Sequence, residues 1–223
     1  MKIALIGYGK MGHAVEGYAR QMGHEVSCII DKDTPWPDTI GADVAVEFST
    51  PQTAVENMLR CFERHLPVVC GTTGWYNRYD EVCNLCRQSG SALLTATNFS
   101  LGMNIMFMVN EYLASLMDKA VYKVAIAETH HIHKLDAPSG TAVTLRQQIV
   151  RCGQRCADEV PIASYREGEV PGTHTVRYDS PIDSIILTHE AHNREGLAQG
   201  AVAAAQWLAK AAPGVYTMKD ILT

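Results

Sequence analysis

The sequence predicts an α/β fold, in which a parallel sheet with helices on both faces is followed by an α+β segment. In the first half, short apolar strands alternate with segments of helical periodicity, which is typical of a parallel sheet. In the second half, three strand-like runs lie close together, which indicates a mixed or mostly antiparallel sheet. A chain of 223 residues, 47% of them hydrophobic, is long enough for one large domain or two small ones.

The first half supplies the evidence for the parallel sheet. Apolar residues from Met11 to Met22 recur on one helical face, and Gly23 ends that helix. Pro51 suits the first turn of a second helix, and the string YDEVCNLCRQSG has the pattern of a third. The segment after the second strand has no helical period, so this crossover is predicted to be a loop. Strands are predicted at residues 2–6, 25–30, 43–48, 67–70 and 92–95.

The second half predicts a smaller α+β segment. Helices are expected at residues 103–117 and from about 140 to 156, with a strand at 122–128 and a polar, histidine-rich loop between them. An alanine-rich helix at 195–211 and a short apolar tail at 215–222 follow at the end. The three strand-like runs are at 162–167, 174–179 and 184–190.

Composition narrows the class of protein. The formal net charge of −5 leaves no basic face for nucleic acid, so no nucleic-acid partner is expected. No apolar run approaches the roughly 20 residues that span a bilayer, so no membrane is expected. The N-terminal apolar stretch breaks into glycines without a small-residue cleavage site, so we do not interpret it as a leader. The protein is therefore expected to be cytoplasmic.

The seven cysteines are odd in number and scattered through the chain, which argues against a disulfide framework. Cys83 and Cys86 have C-x-x-C spacing, and Cys152 and Cys156 are predicted to lie one helical turn apart. Neither pair has a second C-x-x-C or a His pair at zinc spacing beside it. We therefore expect reduced cysteines that serve as small apolar residues.

The N-terminal glycines carry the first functional signal. In the dinucleotide-binding fingerprint, the pyrophosphate binds at a glycine turn and helix N-terminus, and an acidic residue binds the ribose. Asp31, at the end of the second strand, matches that acidic residue. It would repel a 2′-phosphate, which Lys32 offsets, so we expect both NADH and NADPH to be used, NADH at least as readily. A glycine turn without a ligand is the alternative. The G-x-G-x-x-G pattern consists of Gly7, Tyr8, Gly9, Lys10, Met11 and Gly12.

A second small-residue loop follows the fourth predicted strand, and it consists of Gly71, Thr72, Thr73 and Gly74. It lies at the carboxyl end of a parallel strand, where ligands of open α/β sheets bind. Its exposed N–H groups suit a nicotinamide amide, and a simple strand-to-helix turn is the alternative.

The segment from Glu128 to Thr141, ETHHIHKLDAPSGT, is the most informative stretch. His130, His131 and His133 lack the i, i+4 spacing of metalloprotease histidines, so no metal is expected, although zinc and a merely solvated loop are alternatives. Lys134 is a cationic donor, and imidazoles titrate near neutral pH. The N–H groups of Gly140 and Thr141 can hold a carboxylate at a helix start. We therefore predict an anion-binding and proton-transfer site.

The string ETHHIHKLDAPSGTA resembles the signature of the dihydrodipicolinate reductase family of lysine and diaminopimelate biosynthesis. The resemblance extends through GYGKMG, CGTTG, ATNFSLGMN, GTHTVRY, LTHEAHNREGLAQGAVAAAQWL and the tail YTMKDIL. It implies an oxidoreductase that transfers a hydride from NADH or NADPH to a cyclic unsaturated imine dicarboxylate.

The resemblance also implies the domain plan. Residues 1–98 with 198–223 would form a Rossmann-type dinucleotide-binding domain, around an inserted α+β domain at 99–197 that binds substrate and builds a homotetramer. The chain departs from the family pattern in its compactness and in the short segment after Asp31, which bears on the adenosine pocket.

By position, the resemblance implies roles for individual residues. His130 matches the proposed acid/base residue and Lys134 the proton donor. The substrate-carboxylate contacts match His131, Lys134, Gly140 and Thr141. Arg194 lies in the matching His-x-x-x-x-Arg run, and no metal is implied. The cofactor contacts match Gly7 to Gly12, Asp31, Gly71, Thr72, Thr73, Ala96, Thr97, Asn98 and Phe99.

Two other functions share part of this pattern. Another small NAD(P)-dependent amino-acid dehydrogenase would explain the glycine fingerprint but not the string HHIHKLDAPSGT. A non-catalytic nicotinamide-sensing protein would be expected to have replaced His130 or Lys134, and both are present.

Overall fold

A computed structural model describes residues 1–193 and 195–223 of the chain, so Arg194 lies outside the described residues. The chain divides into two compact units, Met1–Leu101 with Glu195–Thr223 and Gly102–Arg194. The division predicted from the sequence lies at 98/99 and 197/198, and the substrate-binding and assembly roles given to its parts stay predictions.

The helices and strands follow one another in the predicted order. The strands are β1 Lys2–Ile6, β2 Glu25–Ile30, β3 Val44–Glu47, β4 Val68–Cys70, β5 Ala92–Thr95, β6 Lys123–His130, β7 Ile162–Arg166, β8 Gly172–Asp179, β9 Ser184–Ala191 and β10 Gly214–Tyr216. The α-helices are α1 Lys10–Gln21, α2 Pro51–Phe62, α3 Tyr79–Ser89, α4 Leu101–Leu116, α5 Gly140–Cys152, α6 Glu195–Leu208 and α7 Met218–Leu222.

The first unit is built on a parallel sheet with the strand order β10–β5–β4–β3–β1–β2. Its inner strands are buried on both faces because helices cover both sides of the sheet. Val15 of α1 and Ala201 of α6 pack on one face. Met58 of α2 and Val82 of α3 pack on the other. The predicted parallel sheet and its five N-terminal strands are confirmed.

The order of the strands places a crevice at β1. The chain runs from β1 to β2 on one side and then returns to β3 on the other, so the direction of strand addition reverses at β1. Ligands of open α/β sheets bind at the carboxyl ends of strands beside such a reversal. Residues 31–43, which join β2 to β3, form no helix, as predicted.

The predicted apolar tail divides into two elements. Gly214 pairs in parallel with Ala92, so β10 extends the sheet beside β5. The helix α7 follows at once, and its Met218 joins the core formed with α1 and α6. A three-residue strand has too few residues to show a periodic pattern, and therefore the sequence indicated only an apolar tail.

The second unit contains a mixed four-stranded sheet in the order β7–β6–β8–β9. The strands β6 and β7 are parallel, whereas β8 is antiparallel to both β6 and β9. Apolar side chains of α4 and α5 form a core with this sheet; they include Met103, Leu145, Ile126 and Val176. The predicted mixed sheet is confirmed.

Several predicted boundaries in this unit differ from the structure, and two of them change how nearby residues are interpreted. The helix α5 ends at Cys152, because the backbone turns at Gly153 and Gln154 takes a positive φ of 51°. Cys152 and Cys156 are therefore not one helical turn apart. The strand β6 reaches His130 rather than Glu128, because the pairing with β7 continues as far as His130 opposite Arg166.

Helices of the described residues are too short or too polar to cross a membrane.

Gly200 is the position in α6 that tolerates a side chain least. A Cβ there would overlap the backbone carbonyl oxygen of Phe99. The other glycine of the helix, Gly196, would bring its Cβ no closer than 3.9 Å to Ser100 Oγ. The first position therefore requires glycine for packing, and the second does not.

We predict that Gly200→Ala lowers the free energy of unfolding by about 1–3 kcal/mol, because the helix must shift to relieve the overlap. Gly196→Ala is the matched control and should leave stability within about 0.5 kcal/mol of the wild type, or raise it. Urea unfolding at a fixed protein concentration measures both. Equal effects of the two substitutions would contradict this packing.

Candidate active site

The glycine loop between β1 and α1 is held against the next strands of the sheet. Gly7 takes a positive φ of 86° and donates its N–H to the carbonyl oxygen of Ile30 at 2.8 Å. A Cβ at Gly7 would overlap the carbonyl oxygen of Phe48. Both the φ angle and the close approach require glycine at this position.

The start of α1 is open towards the crevice. Gly9 caps the helix without any side-chain hydrogen bond, and a Cβ built on Gly9 would meet nothing within 4 Å. Uncapped N–H groups of a first helical turn attract phosphates, and the space beside Gly9 allows one to approach. At the end of β2, the exposed Asp31 accepts a hydrogen bond from the Tyr8 N–H at 3.4 Å. These residues fit the pyrophosphate and ribose of a dinucleotide.

A cavity of about 810 Å³ lies at the carboxyl ends of β1, β2 and β3. It is lined by the glycine loop, Asp31, Trp36 and Thr50, among others. A slightly larger cavity, about 900 Å³, lies at the opposite end of these strands near His24 and Trp207. We assign the dinucleotide to the former, because only the carboxyl ends carry the glycine loop and Asp31.

The second predicted loop, Gly71 to Gly74, lies on the same edge. Thr72 is buried and joins this loop to its neighbours: its hydroxyl oxygen accepts from Ser49 N–H at 2.8 Å, and its carbonyl accepts from Trp75 Nε1–H at 2.8 Å. Thr73 and Gly74 are exposed. The loop is therefore anchored at Thr72 and open at its tip.

Glu47, at the end of β3, is a buried carboxylate that the sequence analysis did not single out. Its side chain accepts hydrogen bonds from Ser49, from Asn57 Nδ2 at 3.3 Å and from Cys70 Sγ at 3.3 Å. It thereby fixes the segment after β3, to which Thr72 is also bound. Glu47 could have been identified from the sequence, because it is the single acidic residue at the end of a short apolar strand.

The third predicted segment follows β5. Phe99 is buried and makes an edge-to-face contact with Phe48, with ring centroids 5.7 Å apart. Ala96 and Thr97 line a smaller cavity of about 410 Å³ together with Tyr76. All the residues predicted to contact the cofactor thus lie on the carboxyl edge of one sheet, which fits a dinucleotide; their contacts with it stay predictions.

In the second unit, the loop after β6 is built around an ion pair. Lys134 Nζ donates to both carboxylate oxygens of Asp136, at 2.7 and 3.0 Å. Arg166 of β7 holds the same loop, since its guanidinium donates to the carbonyl oxygens of Lys134 at 3.1 Å and Asp136 at 2.6 Å. The side chain of Lys134 is 22% exposed. The ammonium group is therefore positioned by Asp136, on a side chain that is partly exposed.

The three histidines do not form one cluster. His130 ends β6 and is buried, whereas His131 is half-buried and His133 is exposed and pairs with Glu169 at 3.4 Å. The prediction that all three lie in a loop after the strand was therefore wrong for His130. Side chains alternate along a strand, so His130 points to the buried face.

The helix α5 begins at Gly140, as the sequence predicts, and the structure adds a side-chain cap. Ser139 precedes the helix, and its side chain accepts the N–H of Ala142 at 3.2 Å. Gly140 and Thr141 occupy the first turn, where N–H groups attract a carboxylate. Ser139 N–H donates at 2.9 Å to the carboxylate of Glu128 in β6, which ties the start of the helix to the sheet.

Glu128 forms a buried cluster with two histidines. Its Oε2 lies 3.6 Å from His130 Nδ1 and 3.6 Å from His174 Nε2 of β8. The relative exposures of Glu128, His130 and His174 are 1%, 6% and 5%. One ligand-type atom from each residue lies within 4.8 Å of the other two. The chain thus places one carboxylate between two imidazoles.

The charge states of this cluster follow from its burial. Burial favours a raised pKa for Glu128, but hydrogen bonds from Ser139 and Ser164 outweigh it, so the pKa lies below its usual value. Burial lowers the pKa of His130, although Glu128 acts in the opposite direction. Burial lowers the pKa of His174 to about 4. Near neutral pH the cluster therefore holds one negative charge and two neutral imidazoles.

Sequence reasoning missed several residues of this site. Glu128 could have been identified from its spacing, because a residue two positions before His130 lies on the same face of a strand. His174 and Arg166 belong to other strands, and their partners depend on a register that no local pattern reveals. Arg194 lies outside the described residues, so its predicted membership of the site stays a prediction.

The chain matches two family models along most of its length. The model described as "Dihydrodipicolinate reductase, N-terminus" matches residues 37–99. The model described as "Dihydrodipicolinate reductase, C-terminus" matches residues 102–222. The glycine loop precedes the first match but lies within the full-length relatives.

Two relatives that match the chain over nearly their whole length are both named 4-hydroxy-tetrahydrodipicolinate reductase. The chain is 44% identical to the 4-hydroxy-tetrahydrodipicolinate reductase of Christiangramia forsetii, covering 100% of this chain and 98% of the relative. It is 33% identical to that of Alkaliphilus oremlandii, covering 98% of each. A dipicolinate-bound dihydrodipicolinate reductase from Paenisporosarcina sp. TG-14 has a similar fold, with a TM-score of 0.83, 22% identity and 97% coverage of each chain.

We predict that acid destabilises the protein through His174. Its pKa is about 4 when folded and about 6.5 when unfolded, so the unfolded chain binds more protons between these values. The contribution of His174 to the free energy of unfolding is therefore fully present above about pH 6.5. It is lost as the pH falls towards 4, which lowers the free energy of unfolding by up to about 3 kcal/mol.

His174→Gln should flatten the dependence of unfolding free energy on pH, measured by urea unfolding at a series of pH values. His133→Gln, at an exposed histidine of the same unit, is the control. An unchanged slope in His174→Gln would show that this imidazole is not buried in its neutral form.

Proposed function

This chain belongs to the dihydrodipicolinate reductase family, and we propose that its first unit holds the dinucleotide while the polar loop and α5 of its second unit hold the substrate. The chain is an NAD(P)H-dependent oxidoreductase with the function of a 4-hydroxy-tetrahydrodipicolinate reductase in lysine and diaminopimelate biosynthesis. The assignment of residues to the parts of this reaction is our proposal.

The cofactor is NADH or NADPH, and it supplies a hydride when bound. Gly7, Gly9 and the N-terminus of α1 would hold its pyrophosphate, and Asp31 would accept hydrogen bonds from the ribose hydroxyls. The loops 71–73 and 96–99 would hold the nicotinamide end. All these segments lie at the carboxyl ends of the strands of one parallel sheet, which supports this assignment.

The substrate is a small cyclic imine dicarboxylate, and the groups that would bind it are donors. His131, Lys134 and the N–H groups of Gly140 and Thr141 supply hydrogen bonds suited to carboxylates. The carboxylate of Asp136 holds Lys134 Nζ as a substrate carboxylate would. A bound dicarboxylate would therefore compete with Asp136 for the ammonium group.

Proton transfer is assigned to Lys134 and His130. Hydride addition to a conjugated imine leaves an electron-rich enamine, and one of its carbons must take a proton. Lys134 is the cationic donor and would regain its proton from solvent. His130 enters the reaction neutral, because burial lowers its pKa. The observation that carries this assignment is the accessible ammonium group of Lys134, in a loop that Arg166 holds.

We also propose a homotetramer in the cytoplasm, formed through the second unit. The edge strand β9 exposes Ile185 and Ile186, and open apolar sheet edges are commonly covered by a symmetric partner. Light scattering at micromolar concentration should give four times the chain mass of 24.5 kDa. A monomeric mass would contradict the tetramer and leave the enzymatic assignment untouched.

We predict that Lys134→Ala lowers kcat by about 10²–10⁴-fold, the usual contribution of a general acid. Affinity for NADH, measured by fluorescence, should be unchanged because the cofactor residues lie in the other unit. The assay follows loss of NADH absorbance, coupled to the synthase that supplies the substrate, and is repeated with NADPH.

Lys123→Ala, at an exposed lysine of β6, is the control and should keep wild-type kinetics. If Lys134→Ala retained the wild-type kcat and raised only KM, the lysine would bind substrate without donating the proton.

A further inference from the structure

We propose that Glu128 is a positioning residue for His130: its carboxylate accepts the Nδ1 proton of that imidazole and leaves Nε2 as the unprotonated nitrogen. His174 Nε2 lies 3.6 Å from the same carboxylate and 3.3 Å from Ser139 Oγ, so it packs against the cluster from β8. The inference rests on the proposed participation of His130 in the reaction, and it assigns the buried cluster a part in that reaction.

The sheet register brings the three side chains together. Glu128 and His130 are two residues apart on β6, so they share a face of the sheet. Glu128 lies directly opposite His174 in the antiparallel pairing with β8, and opposite Ser164 in the parallel pairing with β7. Side chains opposite one another on neighbouring strands lie within contact distance. The carboxylate is therefore enclosed by both neighbouring strands.

The two oxygens of this carboxylate have different surroundings. Oε1 accepts hydrogen bonds from Ser139 N at 2.9 Å and Ser164 Oγ at 2.7 Å. Oε2 is buried and forms no hydrogen bond of standard geometry with residues 1–193 or 195–223, although both imidazoles lie 3.6 Å from it. A buried anionic oxygen without a donor is unfavourable. Small rotations of the two rings would bring N–H groups onto Oε2.

The position of Oε2 determines which nitrogen of His130 carries the proton. A neutral imidazole has one N–H, and the nitrogen without it presents a lone pair. A lone pair facing a carboxylate would be repelled, so the proton belongs on Nδ1. The tautomer of a histidine is set by the hydrogen bond that one of its nitrogens makes.

The other nitrogen, Nε2, faces a position that has no side chain. Residue 172 at the start of β8 is glycine, and a Cβ there would lie 3.2 Å from His130 Nε2. Glycine thus keeps the space beside Nε2 clear. The free lone pair of Nε2 can then accept a hydrogen bond, or take up from solvent the proton that the enamine consumes.

The charges around the imidazole favour a neutral ring. Lys134 and Arg166 oppose a second proton on His130, whereas Glu128 and Asp136 favour one. Because burial also disfavours the charged ring, the single proton stays on the nitrogen nearest the carboxylate. The cluster fixes the orientation of the ring as well as its tautomer.

A divalent cation is the alternative partner of Oε2. The atoms of Glu128, His130 and His174 lie close enough together to ligate one. A bound cation would need a lone pair on each of the facing nitrogens, which is the opposite protonation state. Elemental analysis of the purified protein distinguishes these two arrangements.

A double-mutant cycle tests the inference. Glu128→Gln removes the charge at constant shape and should lower kcat by at least roughly tenfold, with KM and NADH affinity little changed. In a His130→Gln background the same substitution should lower kcat by less than about threefold, because residues that act through one another are not additive. Glu190→Gln, an exposed carboxylate on β9, is the control and should keep wild-type kcat.

The outcomes separate the inference from the proposed function. An equal loss of kcat in both backgrounds would make Glu128 merely structural and would overturn the inference. A stoichiometric metal ion that is lost in Glu128→Gln would overturn it as well. Wild-type kcat in His130→Gln would instead overturn the proposed role of His130. If Glu128→Gln fails to fold, Glu128→Asp, whose carboxylate is drawn back by one methylene group, takes its place in the cycle with the same expectation.

Discussion

The proposed site of the second unit depends on the hydrogen bonds that the buried carboxylate of Glu128 accepts. An ion taken out of water costs several kcal/mol unless hydrogen bonds compensate it. Here Ser139 N–H and Ser164 Oγ–H supply that compensation, so the carboxylate joins β6, β7 and the first turn of α5. The N–H groups that would bind a substrate carboxylate and the imidazole of His130 therefore share one anchor. A substitution of Glu128 would therefore affect the N–H groups at the start of α5 as well as the imidazole of His130.

The first unit depends on close backbone approach around Phe48. The carbonyl group of Phe48 lies where a side chain at residue 7 would be, and the ring of Phe48 contacts Phe99. The adjacent Ser49 is hydrogen-bonded to Thr72. The three segments assigned to the cofactor thus touch one short stretch after β3. Glu47 holds that stretch from within the sheet. In the proposed assignment, cofactor binding would depend on the buried Glu47 and substrate binding on the buried Glu128.

Much of the fold could be predicted from the sequence, because buried parallel strands form apolar runs and helix caps have local signals. The strands at residues 2–6, 25–30 and 92–95 were predicted with their observed bounds. Features that depend on pairing could not be predicted. The extension of β6 to His130 requires the ladder with β7, β10 is too short for a pattern, and the contact between Glu128 and His174 depends on register. The glycine fingerprint and the polar loop were recognisable because their residues are close together in the sequence. Arg166, whose guanidinium binds the carbonyl oxygens of that loop, belongs to another strand.

The protonation state of His130 is the most direct test of its orientation by Glu128. Nuclear magnetic resonance of isotope-labelled histidine side chains in the wild-type protein reports which imidazole nitrogen carries the proton. At neutral pH we expect His130 to be neutral, with its proton on Nδ1 and a free lone pair on Nε2. A proton on Nε2, or on both nitrogens, would contradict the proposed orientation of His130 by Glu128.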